Sequence, residues 1–252
     1  MINILKTDFY KSYRTTSSWV ISVISVLSAF ITSFSMFWLY IDPDLSSLFD
    51  PSAINFYQIA SMVLSGNTFL IGIFAVMFAV SDFSYGTIKN IASKGYRRED
   101  IYASKFLTAL GFAIFNLLLT FITSFITAQI MINTKISGFF NYDKEFFPSL
   151  SKYCLQLVAY LSIAILLAML IRSLGASLAI FLAFVFLEGS AVQLIDKLIH
   201  DVFNSDFSVA PYFINGAFSN PDQTVQGVIV LAVYIVVATA VGLYTFRKRD
   251  IN

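Results

Sequence analysis

Residues 81–106 read SDFSYGTIKNIASKGYRREDIYASKF, the most charged stretch of a chain that is apolar on both sides of it. The cations Lys89, Lys94, Arg97, Arg98 and Lys105 stand here against Asp82, Glu99 and Asp100. An apolar run over roughly 59–81 precedes the stretch and another over roughly 101–131 follows it. About 20 mostly apolar residues cross the hydrocarbon of a bilayer as a helix. The stretch is therefore a polar connection between two membrane spans.

The same reading carried outward gives further spans over about 18–40, 153–171, 175–195 and 225–246. Hydrophobic residues make up 58% of the chain and charged residues 12%, too little polar surface to cover a soluble globule. The first run ends in Met-Phe-Trp-Leu-Tyr, which is no cleavage site, so it reads as a retained span. The expected fold is an all-α membrane protein with six transmembrane helices, residues 1–252 forming one transmembrane domain.

Lys and Arg in the connections set the orientation. Lys6, Lys11 and Arg14 precede span 1, the quoted stretch adds its five, Arg172 lies in the 4–5 turn, and Arg247, Lys248 and Arg249 follow span 6. That places twelve of the 16 cations on one side, with Lys135, Lys144, Lys152 and Lys197 on the other. Both termini are expected in the cytosol. The opposite side collects acid: Asp42, Asp44, Asp50, Asp143, Glu145, Asp196, Asp201, Asp206 and Asp222.

Within residues 1–15, Ile2, Leu5, Phe9 and Tyr13 recur at helical spacing among cations, which predicts a helix lying along the inner leaflet. In the quoted stretch Ile88, Ile91 and Ala92 fall on one helical face, Gly95 is placed to end the helix, and Glu99 and Asp100 suit the N-terminus of span 3. A short amphipathic helix rigidly joined to two spans can pass a push from a soluble partner into the membrane. Between spans 5 and 6, DVFNSDFSVAPYFINGAF (201–218) is aromatic and broken by Pro211 and Gly216, which predicts an outward-facing, partly re-entrant segment.

Cys154 is the only cysteine and His200, expected in an outer loop, the only histidine. No disulfide can form within the chain, and a single cysteine with a single histidine in an outer loop gives no expectation of a Cys/His zinc site or a Cys-His dyad. No catalytic residue and no metal ligand is expected. The net charge of +1 gives no footprint for nucleic acid. In span 1, Ser18, Ser22, Ser25, Ser28, Thr32 and Ser35 form one small hydroxylated face, read either as close helix packing or as a wall of a translocation path or dimer interface. Glu188 is the one acid inside a span. Buried acids in membranes are expensive, so it either hydrogen-bonds a neighbouring helix, for example through Gln156 or Asn116, or faces a substrate path.

An acid at the end of span 2, then Gly-Thr-Ile-Lys-Asn, a basic pair and a Lys early in span 3, resembles the permease of an ABC-2 type exporter. The matching residues are Asp82, Gly86, Thr87, Ile88, Lys89 and Asn90, then Arg97, Arg98 and Lys105, and the closing FRKRDI (246–251) is similar to the ends of such permeases. Asp82 stands where the family often has Glu, and Gly95-Tyr96 where it often has a Pro turn. The resemblance implies a multi-pass subunit of the bacterial cell membrane that pairs with a second copy or a related permease and with two cytosolic ATPase subunits. It makes Asp82, Gly86, Thr87, Ile88, Lys89, Ile91, Arg97 and Arg98 the ATPase-coupling segment. No G-x-x-x-x-G-K-[ST] occurs here, so ATP and Mg are expected in the partner and no cofactor in this chain. Antimicrobial or phenol-soluble-modulin type peptides, or other lipophilic compounds, are the implied cargo. The alternative is an immunity or sensory membrane protein that binds a toxic peptide without pumping it.

Overall fold

A computed structural model describes residues 2–41, 56–132, 144, 146–203, 207–219 and 224–248. Its helices are α1 (Ile2–Arg14), α2 (Thr16–Ile41), α3 (Phe56–Gly66), α4 (Thr68–Ser84), α5 (Thr87–Ser93), α6 (Arg98–Ile132), α7 (Phe146–Ile171), α8 (Leu174–Phe203) and α9 (Thr224–Lys248), with a 3-10 turn at Ala210–Tyr212 before α9. No strand occurs among the described residues. Six stretches are long and apolar enough to cross a membrane: α2, α3 with α4, α6, α7, α8 and α9. Such spans must be helical because lipid offers backbone groups no partner. No proline falls in a described helix beyond its first turn, where Pro148 sits in α7 and leaves no donor missing.

The expected spans thus stand, with differences at their edges. Span 2 is broken at Asn67, whose side-chain amide donates to the Val63 carbonyl (2.7 Å) while its Oδ1 accepts from Ser28 (3.0 Å). A side chain inserted into the ladder after Gly66 is a recognised cause of a kink. Helices α7 and α8 run about two turns beyond the apolar windows read from sequence, so His200 lies in the last turn of α8 rather than in a loop. The 4–5 turn consists of Arg172 and Ser173 alone, with Arg172 at φ 59°.

Helix α4 is the centre of the bundle. In the window of α3 and α4, 67% of residues are buried, against 17% for α8 and 22% for α9, which present long apolar flanks. Around α4 pack α2, α6, α7 and α8, while α7 lies along α9 and α2 along α6. Gly72 is needed here because the Phe181 ring of α8 sits directly on its Cα, and Phe74 stacks on Phe112 with ring centroids 3.6 Å apart. The cluster of Ile71, Ala75, Ala79, Val80, Leu161, Ile165 and Phe181 forms the main core, into which α1 inserts Ile4.

Helix α1, α5 and the last turn of α9 lie at one end of the bundle, since Asp8 of α1 meets Lys105 and Arg98 contacts Phe246. Segment 207–219 lies at the other end, with Val209 bonded to Asp196 and Ile214 packed beside Tyr160 and Leu231. Asp42, Asp44, Asp50, Asp143, Glu145, Asp206, Asp222, Lys135 and Arg249 lie outside the described residues, as do the side chains of Lys89, Asn90 and Ala92.

Candidate functional site

The amphipathic segment after span 2 forms as its pattern requires. Gly86 (φ 66°) reverses the chain after α4, and Gly95 (φ 80°) does so after α5, both in the left-handed region that glycine enters without a Cβ penalty. Between them Ile88 is buried in the main core and Ile91 packs against it. Those two residues hold α5 to its own chain. Exposed among the described residues here are Tyr85 (79%), Ser93, Lys94, Gly95 and Arg97.

Beneath α5 lies an alternating chain of four charges. Asp82, at the end of α4, is ion-paired to both Lys11 of α1 and Lys105 of α6. Lys105 also donates to Asp8 Oδ1 at 2.6 Å, and Asp8 Oδ2 accepts from Ser104 at 2.6 Å. Thr87, the first residue of α5, donates to Asp82 Oδ1 at 2.9 Å. Lys105 is 0% exposed, and its ammonium lies 4.5 Å from the centroid of the Phe78 ring. Two acids and two bases cancel, which is the condition under which such charges persist in an apolar interior. Helices α1, α4, α5 and α6 are thereby joined through one polar centre.

A second tie closes the same end. The Arg98 guanidinium donates to the Phe246 and Arg247 carbonyls (3.1 and 2.7 Å), capping the last turn of α9, and Arg247 pairs with Glu99 at 2.9 Å. The Arg172 guanidinium lies over the Phe83 ring at 5.1 Å. Of the residues assigned to coupling, Asp82, Gly86, Thr87, Ile88, Ile91 and Arg98 converge on this junction and Arg97 stands exposed beside it. Asp8 is the functional residue that sequence reasoning missed. A lysine as deep in span 3 as Lys105 was the signal that a second acid was needed.

The hydroxylated face of span 1 is turned into the chain. Ser22 accepts from Asn116 (3.2 Å), Ser28 bonds Asn67, Ser33 bonds Ser124 (3.0 Å), and Ser25 is buried. Ser22 and Ser25 therefore pack against this chain's own helices, while Thr32 is half-buried and Ser35 exposed. Small side chains allow that close approach, and their hydroxyls find partners across it.

Glu188 is also enclosed. Tyr160 donates to its Oε2 at 2.7 Å and the Asn215 backbone N–H to its Oε1 at 3.0 Å. Gln156 bonds the adjacent Ile214 carbonyl (2.9 Å), whereas Asn116 is engaged with Ser22. With both oxygens occupied inside the chain, Glu188 tethers segment 207–219 rather than facing an open path. At 1.5 Å per residue it sits about 21 Å along α8 from Leu174, in the part of the helix distant from α5.

Among the described residues no group of His, Cys, Asp and Glu is arranged to hold a metal ion. No curated protein matches the chain. A family model matches residues 19–252, a range that takes in the six spans and α5 but not α1 with Asp8 and Lys11. The chain belongs to the family described as "Protein of unknown function (DUF2705)".

Proposed function

We propose that this chain is the permease subunit of an ATP-driven exporter of the ABC-2 type in a bacterial plasma membrane, with both termini cytosolic. The observation that carries the reading is the junction at the end bearing the termini. A seven-residue helix between spans 2 and 3 is fixed to α4 by Thr87–Asp82 and to the core by Ile88, while Tyr85, Lys94 and Arg97 stay exposed. A force applied to α5 is then delivered to α1, α4 and α6 together, because the four charges prevent one from moving alone. A cytosolic ATPase supplies that force, and two permease chains with two ATPase chains make the working assembly. Cationic amphipathic peptides or lipophilic compounds are the cargo the apolar, aromatic-rich bundle suits.

Sealed membrane vesicles test orientation and transport together. In a Cys154→Ser background, Lys94→Cys is expected to react with an impermeant maleimide in inside-out vesicles and not in right-side-out ones. Inside-out vesicles carrying the chain with its ATPase are expected to accumulate a labelled cationic amphipathic peptide only when ATP is present. Tight peptide binding without ATP-dependent uptake would favour the immunity reading. Labelling of Lys94→Cys in right-side-out vesicles would exclude the cytosolic junction.

A further inference from the structure

A cavity of about 250 Å³ opens where α1, the start of α2 and α6 meet. Its wall is aromatic: Phe9 and Tyr13 from α1, Trp19 from α2, and Phe112 and Phe115 from α6, over Gly111. The Trp19 indole donates to the Tyr13 carbonyl at 2.9 Å and its ring meets Tyr13 edge-on at 5.5 Å, which fixes the corner between the two helices. Ser12, Ser18 and Ser22 also line it; the Ser18 hydroxyl donates to the Ser12 carbonyl and Ser22 Oγ accepts from Asn116. A water needs two to four polar partners, so an alkyl chain suits this space better.

The flank of the cavity is charged in one sense. Helix α1 divides into a face turned to the protein (Ile4, Asp8, Ser12), an exposed apolar face (Ile2, Phe9, Tyr13) and a polar flank. That flank exposes Lys6, one turn before Phe9, and Arg14, next to Tyr13, its guanidinium 5.0 Å from the Tyr10 ring. The one acid of α1, Asp8, is buried on Lys105, so the exposed surface of the helix carries cations alone. An apolar slot on a helix whose exposed charges, Lys6 and Arg14, are both cationic matches one occupant by shape and charge.

We infer that the cavity holds an acyl chain of an anionic glycerophospholipid, whose phosphate lies against Lys6 and Arg14. The site goes beyond the proposed transport function and does not depend on it.

Trp19 reports on the site directly. The chain has 2 tryptophans, and Trp38→Phe preserves the stack with Phe34 while leaving Trp19 as sole emitter. The chain is placed in phosphatidylcholine nanodiscs doped with either chain-brominated phosphatidylglycerol or chain-brominated phosphatidylcholine. Half-maximal quenching of Trp19 is expected at about thirty-fold lower mole fraction of the anionic lipid, the factor two cations contribute near such a headgroup. Lys6→Gln with Arg14→Gln is expected to remove the difference. Gly111→Ala, whose Cβ would come within 2.5 Å of the Phe9 ring, is expected to push that ring into the cavity and weaken quenching by both lipids. Equal quenching curves for the two lipids would mean ordinary annular lipid only and overturn the site. So would a preference unchanged in the Lys6/Arg14 double variant, whose surface substitutions leave the fold intact.

Discussion

Lys105→Met is expected to destabilise the protein by about 3–5 kcal/mol, the cost of breaking a buried ion pair from one side. For a chain of this size that corresponds to a fall of about 10 °C in the unfolding midpoint of detergent-purified protein. The cause is specific. Lys105 is fully buried between Asp8 and Asp82, so its loss leaves two carboxylates in an apolar interior with Lys11 as their only cation. Asp8→Asn alone is expected to do comparable harm by leaving Lys105 in excess. The double variant restores balance, because Lys11 and Asp82 then neutralise one another. It is expected to recover most of the loss, giving a large coupling energy in a double-mutant cycle. Additive losses in the double variant would show that the four charges do not act as one unit.

The second large effect concerns the far end. Glu188→Leu removes the acceptor from the buried Tyr160 hydroxyl and from the Asn215 N–H, whose residue is exposed. The orphaned hydroxyl costs about 1–3 kcal/mol, and segment 207–219 loses its tether. Amide exchange at Asn215 is expected to rise about 10–100-fold while the core helices keep their protection. Tyr160→Phe leaves the Asn215 bond in place and is expected to cost only about 1 kcal/mol, with little change in exchange. Unchanged protection at 207–219 in Glu188→Leu would return Glu188 to the list of groups free to meet cargo.

The contrast between these two sites and the rest of the chain shows what sequence carries. The spans were legible because apolar length is read without knowing any neighbour. Gly86 and Gly95 were legible as turn residues because their demand is local. Asp8 was not, since an aspartate between two lysines on an amphipathic helix looks like part of a solvated face until Lys105 is placed against it. The hydroxylated stripe of span 1 admitted two readings for the same reason: periodicity defines a face but not what covers it. Ile88 was legible as apolar, but not what its face covers, because one amphipathic face can bind the helix to its own chain or to another. The break at Asn67 depends on an asparagine side chain finding the Val63 carbonyl and Ser28, contacts that no hydropathy window contains.

Under the proposed function, a cytosolic ATPase drives this chain through the exposed side of the α5 junction. ATP hydrolysis by the complex, purified from its native membrane and placed in lipid nanodiscs, tests it most directly. The comparison is between the unaltered chain and Lys94→Glu with Arg97→Glu, both exposed and outside the buried charge network. The account predicts co-purification of a P-loop ATPase whose hydrolysis falls about tenfold in the charge-reversed variant, as expected when two complementary contacts become repulsive. Helix content and unfolding midpoint are expected to stay unchanged. A chain that purifies with no nucleotide-hydrolysing partner, or a complex whose hydrolysis ignores the reversed charges, would contradict it.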